Sequence, residues 1–231
     1  VVGFFCFDPT FLSRPDFSVD RFRFFLETLN ALSEELKSIG SSLLVLEGGP
    51  ELAFKKLFSE LKSGPIGSPS LVSFNRDYEP FARDRDARIT RLLQSELNCG
   101  VWTEPDHLLV EPHELPKADK PYQVYSPFAR KWLSVFRSDL IQSRVAHQKS
   151  GLEYLRRRLA GESDKLFSLQ WHQVLGNNTP VETCLDKYRQ KVQASVPLPP
   201  AGSLAAFKAL NEFSPKVSAY GDDRDIPSKE G

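Results

Sequence analysis

Strand-type runs and amphipathic helical stretches alternate along the first hundred or so residues of the chain. Helical patterns separate four short apolar runs, which lie at residues 1–7, 43–46, 70–73 and 101–102. Regular alternation of strands with helices is the signature of a parallel sheet with right-handed crossovers. The pattern therefore predicts an α/β fold with a doubly wound parallel sheet, and the apolar strands are typical of a sheet with helices on both faces.

The helical stretches show apolar residues at spacings of three and four. The clearest runs from Ser18 to Ile39, and Gly40 follows it as a stop signal. A second helix is predicted after Gly48-Gly49, with Pro50 in its first turn. The third carries its apolar face on Ile89, Leu92, Leu93 and Leu97.

Beyond Glu104 the regular alternation stops. Residues 105–121 have the proline and charge content of a loop, and residues 122–140 return to a helical pattern. Basic clusters and the stretch Val196-Pro-Leu-Pro-Pro200 give the next part the composition of a linker. A last helical pattern begins near Leu204. These shifts predict boundaries that divide the chain into residues 1–135, 136–202 and 203–231.

Bulk composition excludes several classes of protein. Lys+Arg and Asp+Glu both total 30, so no net field attracts nucleic acid or membrane. No run approaches the ~18 apolar residues of a membrane span. The three cysteines form no CxxC pair, which favours reduced thiols in an intracellular compartment. The four histidines are scattered, and no metal site is predicted. The chain lacks methionine and opens in mid-strand, so we expect a piece of a longer protein.

The carboxyl ends of the predicted strands bring polar groups to one edge of the sheet. In open α/β sheets this edge is where ligands bind. It would carry Cys6-Phe7-Asp8-Pro9, Glu47-Gly48-Gly49 and the stretch from Asn75 to Glu79. The motifs GxGxxG, P-loop and GxSxG are absent from the sequence, which excludes the dinucleotide, nucleoside-triphosphate and hydrolase sites that those motifs mark.

The stretch FNRDYEPFARDRDARI, residues 74–89, holds nine ionisable side chains in sixteen positions. One interpretation is a solvated helix start, with ion pairs at spacings of three and four among Asp84, Asp86, Arg88 and Arg91. That interpretation does not explain the acids before the helix or the cations in its first turns, which oppose the helix dipole. A ligand facing these groups would explain both.

Four motifs in order resemble the photolyase/cryptochrome family. Asn75 to Asp86 closely resembles its N-D-x-E-P-Y-x-x-x-R-D segment, and Phe5-Cys-Phe-Asp-Pro9 its second strand. Leu46-Glu-Gly-Gly-Pro50 matches its L-x-G-x-P. Pro121 to Phe128, with Trp132, matches P-Y-x-V-[FY]-x-P-F-x-x-x-W. Near the end, Tyr220 to Pro227 resembles the segment that opens the flavin domain. The family's first strand and nearly all of its catalytic domain have no counterpart in the chain.

The resemblance implies a fold, domains and site residues. It makes residues 1–135 an α/β antenna-chromophore domain, 136–202 an interdomain linker and 203–231 the start of a helical FAD-binding domain. It places Tyr220 at the flavin and Arg224 near DNA phosphates, and no catalytic residue within the chain. Phe7 could equally be core and Arg21 a solvated helix residue. The residues implied for the antenna pocket are Cys6, Phe7, Asp8, Arg21, Asp77, Tyr78, Glu79, Pro80, Phe81, Ala82, Arg83, Asp84 and Arg85.

The resemblance also implies a function for the parent protein. The sequence is most similar to class I cyclobutane pyrimidine dimer photolyases, which are light-driven lyases that use FAD to repair UV-damaged DNA. The implied antenna pigment is 8-hydroxy-5-deazaflavin, with FMN or a folate as alternatives. Folate-using relatives carry Asn-Glu where this chain has Phe81-Ala82, which disfavours folate. The alternative function is a cryptochrome photoreceptor that signals without repair. A monomer without a membrane partner is expected in either case.

Overall fold

A computed structural model describes residues 1–115, 121–159, 169–175, 185–218 and 220–223. Four strands are present in them: β1 Gly3–Phe7, β2 Leu43–Glu47, β3 Leu71–Arg76 and β4 Gly100–Pro105. β1 pairs with β2 and β3 with β4, both in parallel, as two two-stranded sheets. Together with the helices that follow each strand, this confirms the predicted α/β class.

Helices connect and follow the strands over the same part of the chain. The first three follow β1, β2 and β3, and a π-helical turn at Leu92–Glu96 extends the third. The helices in chain order are α1 Val19–Ser38, α2 Pro50–Ser63, α3 Pro80–Arg91, α4 Tyr125–Phe136, α5 Asp139–Leu159, α6 Trp171–Leu175, α7 Leu185–Lys191, α8 Ser203–Phe213 and α9 Tyr220–Asp223.

Local sequence signals explain where these helices begin and end. The Ser18 side chain accepts a hydrogen bond from the Arg21 amide and caps α1, as the sequence predicts for this residue type. α1 ends at Ser38, and Gly40 just beyond it has a φ of 83°, a left-handed conformation that favours glycine. Pro50 and Pro80 occupy the first turns of α2 and α3, where a missing amide hydrogen costs nothing.

The described residues form two compact units. One contains residues 1–49 and the described part of 166–231, and the other the described part of 50–165. The core of the first unit is Phe7, Phe22, Leu26 and Val45. In the second unit α3, its π-helical turn and the following segment bury Ile89, Leu93 and Val110. The boundaries expected at 135 and 202 stay predictions.

The strands differ in how well they are covered. β2 is buried at three successive positions, Leu44 to Leu46. Exposed residues alternate with half-buried ones along β4 and most of β3, and Leu71 and Trp102 are more than half exposed. The expectation of strands buried on both faces therefore describes β2 and not β3 or β4. Composition alone does not explain the difference, because the apolar residues Leu71 and Trp102 are among the exposed positions.

The predicted linker contains regular structure. α5 occupies 21 residues of it, and α7 lies near its end. The helical patterns predicted over 122–140 and from Leu204 are confirmed as α4 and α8. None of the described helices is both long and apolar enough to cross a bilayer.

Candidate functional site

The loop that follows β3 is fixed by its own first residue. Asp77 Oδ1 accepts hydrogen bonds from the backbone amides of Tyr78, at 2.6 Å, and Glu79, at 3.4 Å. An aspartate that binds the amides just after it forms an Asx-type turn, which ends a strand and redirects the chain. Pro80 then begins α3 directly. Asp77 is therefore occupied in shaping the loop.

Tyr78 lies half-buried in this loop, and its hydroxyl donates a short hydrogen bond to Glu111 Oε1. Burial, and then the hydrogen bond to this carboxylate, raises the pKa of Tyr78 to about 12. The tyrosine therefore keeps its proton at neutral pH and remains a donor. His107 lies beside the pair, with its ring centroid 6.3 Å from that of Tyr78 and its Nδ1 4.0 Å from Asp77 Oδ1.

Glu111 is buried, with only 4% of its surface exposed. An ion pair between Glu114 and Arg144 holds its segment in place. The Glu111 amide donates to Glu114 Oε2 at 2.6 Å. Arg144 of α5 binds both oxygens of Glu114, at 2.6 and 3.1 Å, and also donates to the Leu109 carbonyl at 2.7 Å. The arginine lowers the pKa of Glu114, which therefore stays charged. No motif in the sequence marks Glu111, Glu114 or Arg144 as a site residue.

The first turn of α3 presents a mixed polar and aromatic surface. The Phe81 ring is 58% exposed, and Glu79, Arg83 and Asp84 are exposed as well. Ala82 is buried beneath them. An exposed aromatic ring next to charged groups of both signs can border a planar ligand and bind its polar edge.

Three more charges of this stretch, Arg85, Asp86 and Arg88, have partners inside the second unit. Arg85 binds its neighbour Asp86 through two hydrogen bonds, at 2.9 and 2.7 Å. Arg88 binds Glu51 of α2 at 2.6 Å. The ion pair that Arg88 makes thus joins two helices, where the sequence interpretation had pairs within α3. Because Arg85 is partly neutralised by Asp86, the guanidinium of Arg83 is the more accessible cation for a ligand.

The carboxyl end of β1 lies in the first unit and has a different environment. The Cys6 thiol donates to the Gly48 carbonyl at 3.2 Å. The side chain of Phe7 is 1% exposed and is packed in the core, where its ring contacts Phe22 and Tyr188. Asp8 Oδ1 accepts from the Thr10 amide at 3.0 Å and begins a short 3₁₀ turn. These contacts are structural, and the assignment of the three residues to a pocket stays a prediction.

A segment far along the chain covers this end of β1 and β2. Tyr188 of α7 packs its ring 4.5 Å from that of Phe7, and its hydroxyl donates a short hydrogen bond to Glu47 at the end of β2. Lys187 binds the other oxygen of Glu47 at 2.7 Å. These two contacts, Lys187 first, lower the pKa of Glu47. We call residues 185–195 the covering segment.

The covering segment is also attached to α1. Arg23 donates to the carbonyls of Arg189 and Val192, and Asp20 accepts from the amide and hydroxyl of Ser195, both at 2.6 Å. Beside these contacts lies a groove of about 820 Å³ between α1 and residues 189–201. Glu27 is shared by two arginines of its lining: it pairs with Arg23 at 2.6 Å and lies 3.4 Å from Arg189. None of the predicted site residues lines this groove.

Two of the other predicted site residues lie on helices of the first unit. Arg21 lies on α1 with its side chain exposed. Tyr220 begins the four-residue helix α9, is half exposed and meets Phe213 edge-on at 5.9 Å. Arg224 is outside the described residues. Within the described part of the chain, no three His, Cys, Asp or Glu side chains form a group that could hold a metal ion.

Comparisons with known proteins agree on one family. The DNA photolyase family profile matches residues 1–148. The deoxyribodipyrimidine photo-lyase of Halobacterium salinarum is 28% identical over 235 residues, which cover all of this chain and 42% of that protein. The corresponding protein of a Synechococcus strain is 32% identical over 135 residues, which cover 57% of this chain and 26% of its own length. Vertebrate cryptochromes match over shorter stretches.

A solved structure has the same fold over nearly the whole chain. It is a bacterial class III photolyase from Agrobacterium tumefaciens, with a TM-score of 0.67 at 22% identity. The likeness covers 99% of this chain and 42% of that one. The chain thus spans less than half the length of the relatives it matches here.

Proposed function

We propose, from the premise that this chain belongs to the DNA photolyase family, that its parent protein is a deoxyribodipyrimidine photolyase and that this part of it binds the antenna pigment. The observation that carries the proposal is the exposed start of α3 within the family match. There the N-D-x-E-P-type segment fixes its own loop and presents Phe81 beside Glu79, Arg83 and Asp84.

The chemistry of the proposed reaction is light-driven electron transfer. When bound, a reduced FAD supplies an electron to a cyclobutane pyrimidine dimer, the ring splits, and the electron returns. We place most of the flavin site and DNA surface in the part of the protein outside this chain. The contributions proposed here are the Tyr220 hydroxyl at the flavin and Arg224 at a DNA phosphate. UV-damaged DNA is the proposed partner of a monomeric, intracellular protein.

The aromatic and the charged residues of the proposed pigment site bind different parts of the pigment. Phe81 and Tyr78 offer aromatic rings to a planar pigment, and Arg83 and Glu79 bind polar groups at its edge or tail. Cys6, Phe7, Asp8 and Arg21 remain proposed contacts, supported by the motif match alone. 8-Hydroxy-5-deazaflavin is the proposed pigment, with FMN or a folate as alternatives.

Dimer repair by the full-length protein tests the enzymatic proposal. The protein, with its flavin bound and reduced, is given thymine-dimer DNA in blue light and in the dark. Loss of dimers in light alone supports the photolyase. A cryptochrome photoreceptor is the second candidate, favoured by the vertebrate cryptochrome matches. No loss of dimers in either condition would overturn repair and leave that candidate.

Variants of the same protein separate the antenna role from catalysis. Asp77→Ala or Glu79→Ala should narrow the action spectrum toward that of the flavin while repair continues at flavin wavelengths. Lys56→Ala, an exposed change on α2, is the matched control and should leave the spectrum unchanged. A loss of repair at all wavelengths in either variant would contradict a purely light-gathering role.

A further inference from the structure

We propose that Glu111 is a positioning residue of the antenna site, which holds Tyr78 and the loop 77–79 in the conformation that receives the pigment. This inference rests on the proposed function of the loop as a pigment site. Its direct consequence is that Tyr78 offers the pigment its ring and not its hydroxyl hydrogen. Glu111 lies 33 residues from Tyr78 in the sequence, and nothing in the family motif includes it.

The first step is that the Tyr78 hydroxyl is already committed. A tyrosine hydroxyl has one hydrogen to donate, and Tyr78 donates it to Glu111 Oε1. Burial keeps the pKa of Tyr78 high, so the hydroxyl stays protonated at neutral pH. A hydrogen bond between a neutral donor and a carboxylate is among the stronger kinds in proteins. A ligand would have to break that bond to use the hydroxyl as a donor.

The second step is that the acceptor cannot move freely. Glu111 is 4% exposed, and a buried carboxylate that loses its donor is strongly unfavourable. Its amide is bound to Glu114, which Arg144 holds through both carboxylate oxygens. Arg144 also binds the Leu109 carbonyl. The position of Glu111 is therefore set through the ion pair between Glu114 and Arg144. Arg144 belongs to the 21-residue helix α5.

The third step is that the loop has two independent anchors on adjacent residues. Asp77 fixes the backbone through the Tyr78 and Glu79 amides, and Glu111 fixes the side chain of Tyr78. Phe81 follows two residues after Glu79 in the first turn of α3. A loop fixed at both backbone and side chain loses less entropy when it binds a ligand, which is the basis of preorganisation.

A double-mutant cycle on the full-length protein tests this role. The affinities of FMN and 8-hydroxy-5-deazaflavin are measured by fluorescence titration for Glu111→Leu, Tyr78→Phe and the double variant. Each single change should weaken binding about tenfold, the effect of one charge-assisted hydrogen bond. The double variant should be no weaker than the single ones. Losses that multiply to about a hundredfold would overturn the inference, because the two residues would then act independently.

Two further variants separate positioning from general stability. Glu111→Gln keeps an acceptor oxygen in place and should restore most of the affinity that Glu111→Leu loses. Leu57→Ala removes a buried side chain of α2 and should lower stability without changing the affinity per folded molecule. Equal losses of affinity in Glu111→Gln and Glu111→Leu would contradict a role through the hydrogen bond.

Hydrogen exchange gives a result that does not depend on the pigment. In the ligand-free protein, Glu111→Leu should raise the exchange rates of the Tyr78 and Glu79 amides about tenfold, and Leu57→Ala should raise them only as far as it raises global exchange. If the native protein binds neither probe, the proposed pigment assignment fails, and the exchange rates still decide whether Glu111 holds the loop in place. Unchanged exchange at these two amides would overturn the inference.

Discussion

Two places in the molecule lie beyond the carboxyl ends of parallel strands, where ligands bind in open α/β sheets. One is at β1 and β2 and the other at β3, and they differ in what covers them. In the first unit the covering segment packs Tyr188 against Phe7 and binds Glu47. In the second unit the loop after β3 leads into a helix start at which Phe81, Glu79 and Arg83 are exposed. The carboxyl end of β1 and β2 is therefore covered, and we call it the closed end. The carboxyl end of β3 is exposed, and we call it the open end.

The difference shows that topology predicts where a ligand can bind and not whether the place is vacant. The rule that ligands lie beyond the carboxyl ends of parallel strands applies to both ends. At β1 and β2 an aromatic ring with a hydroxyl already occupies the position, and it comes from residues more than a hundred positions away. A pigment that reached Phe7 would have to displace Tyr188. The proposal accordingly relies most on the residues after β3.

The largest expected effect contrasts the two phenylalanines. Phe7→Ala should lower the free energy of unfolding by about 3–5 kcal/mol, because it leaves a cavity in the core. Phe81→Ala, at a mostly exposed ring, should change it by no more than about 0.5 kcal/mol. Denaturant titration of both variants checks this. Equal costs would mean that the closed and open ends have been assigned wrongly.

Arg144→Met should have the next largest effect, within the second unit. It leaves Glu114, which is largely buried, without its cation, and breaking such a pair costs about 3 kcal/mol. Lys55→Met, which breaks the exposed pair with Glu96, is the control and should cost under about 1 kcal/mol. If the two variants unfold at the same denaturant concentration, Arg144 does not hold the loop's support in place.

The same pair predicts a pH dependence. Arg144 lowers the pKa of Glu114 in the folded state, so its stabilisation is complete above the unfolded value, near 4.5. That stabilisation is lost as pH falls below that value through the folded pKa. The difference in unfolding free energy between the native chain and Arg144→Met should therefore shrink in acid. A constant difference from pH 7 to pH 3 would contradict the assignment.

Tyr188→Phe sharpens the account of the closed end at a smaller scale. It keeps the ring against Phe7 and removes the hydroxyl from Glu47, and should cost about 1 kcal/mol. Tyr188→Ala should cost more, because the ring contact is lost as well. Unfolding curves of the two variants distinguish hydrogen bond from packing. Identical costs would show that the ring contributes nothing to closing this end.

The smallest expected effect appears at alkaline pH. The pKa of Tyr78 is raised to about 12, so the contribution of this group to stability is complete below pH 10 and is lost as pH rises from 10 to about 12. Spectrophotometric titration should show a tyrosine step near pH 12, and Tyr78→Phe should remove that step. If Tyr78→Phe instead removes a step near pH 10, the pKa of Tyr78 is not raised, and its assignment as a half-buried donor to Glu111 is wrong.

Local signals predicted the element pattern of the first hundred residues well. Gly40 and Pro50 mark helix ends by their own backbone chemistry, and each does so in the structure. Strand burial was predicted less well. Whether a strand face is covered depends on packing partners that no local pattern contains, and alternate residues of β3 and β4 remain exposed.

The residues that support the candidate site could not be predicted in the same way. The family motif covers Asp77 to Arg85, but Glu111 contacts Tyr78, and Arg144 contacts Glu114, only through tertiary structure. The covering segment was missed because proline and charge suggested a linker. A signal was present, since Leu185, Tyr188 and Val192 follow a helical spacing of three and four and pack against the core.

Pigment content of the purified full-length protein tests the central claim most directly. Native protein, Phe81→Ala and Tyr188→Ala are prepared in the same way, and released pigment is measured per folded molecule. The account predicts that Phe81→Ala loses most of its pigment, at least about tenfold, while Tyr188→Ala keeps it. Pigment retained in Phe81→Ala and lost in Tyr188→Ala would place the antenna at the closed end and contradict the account.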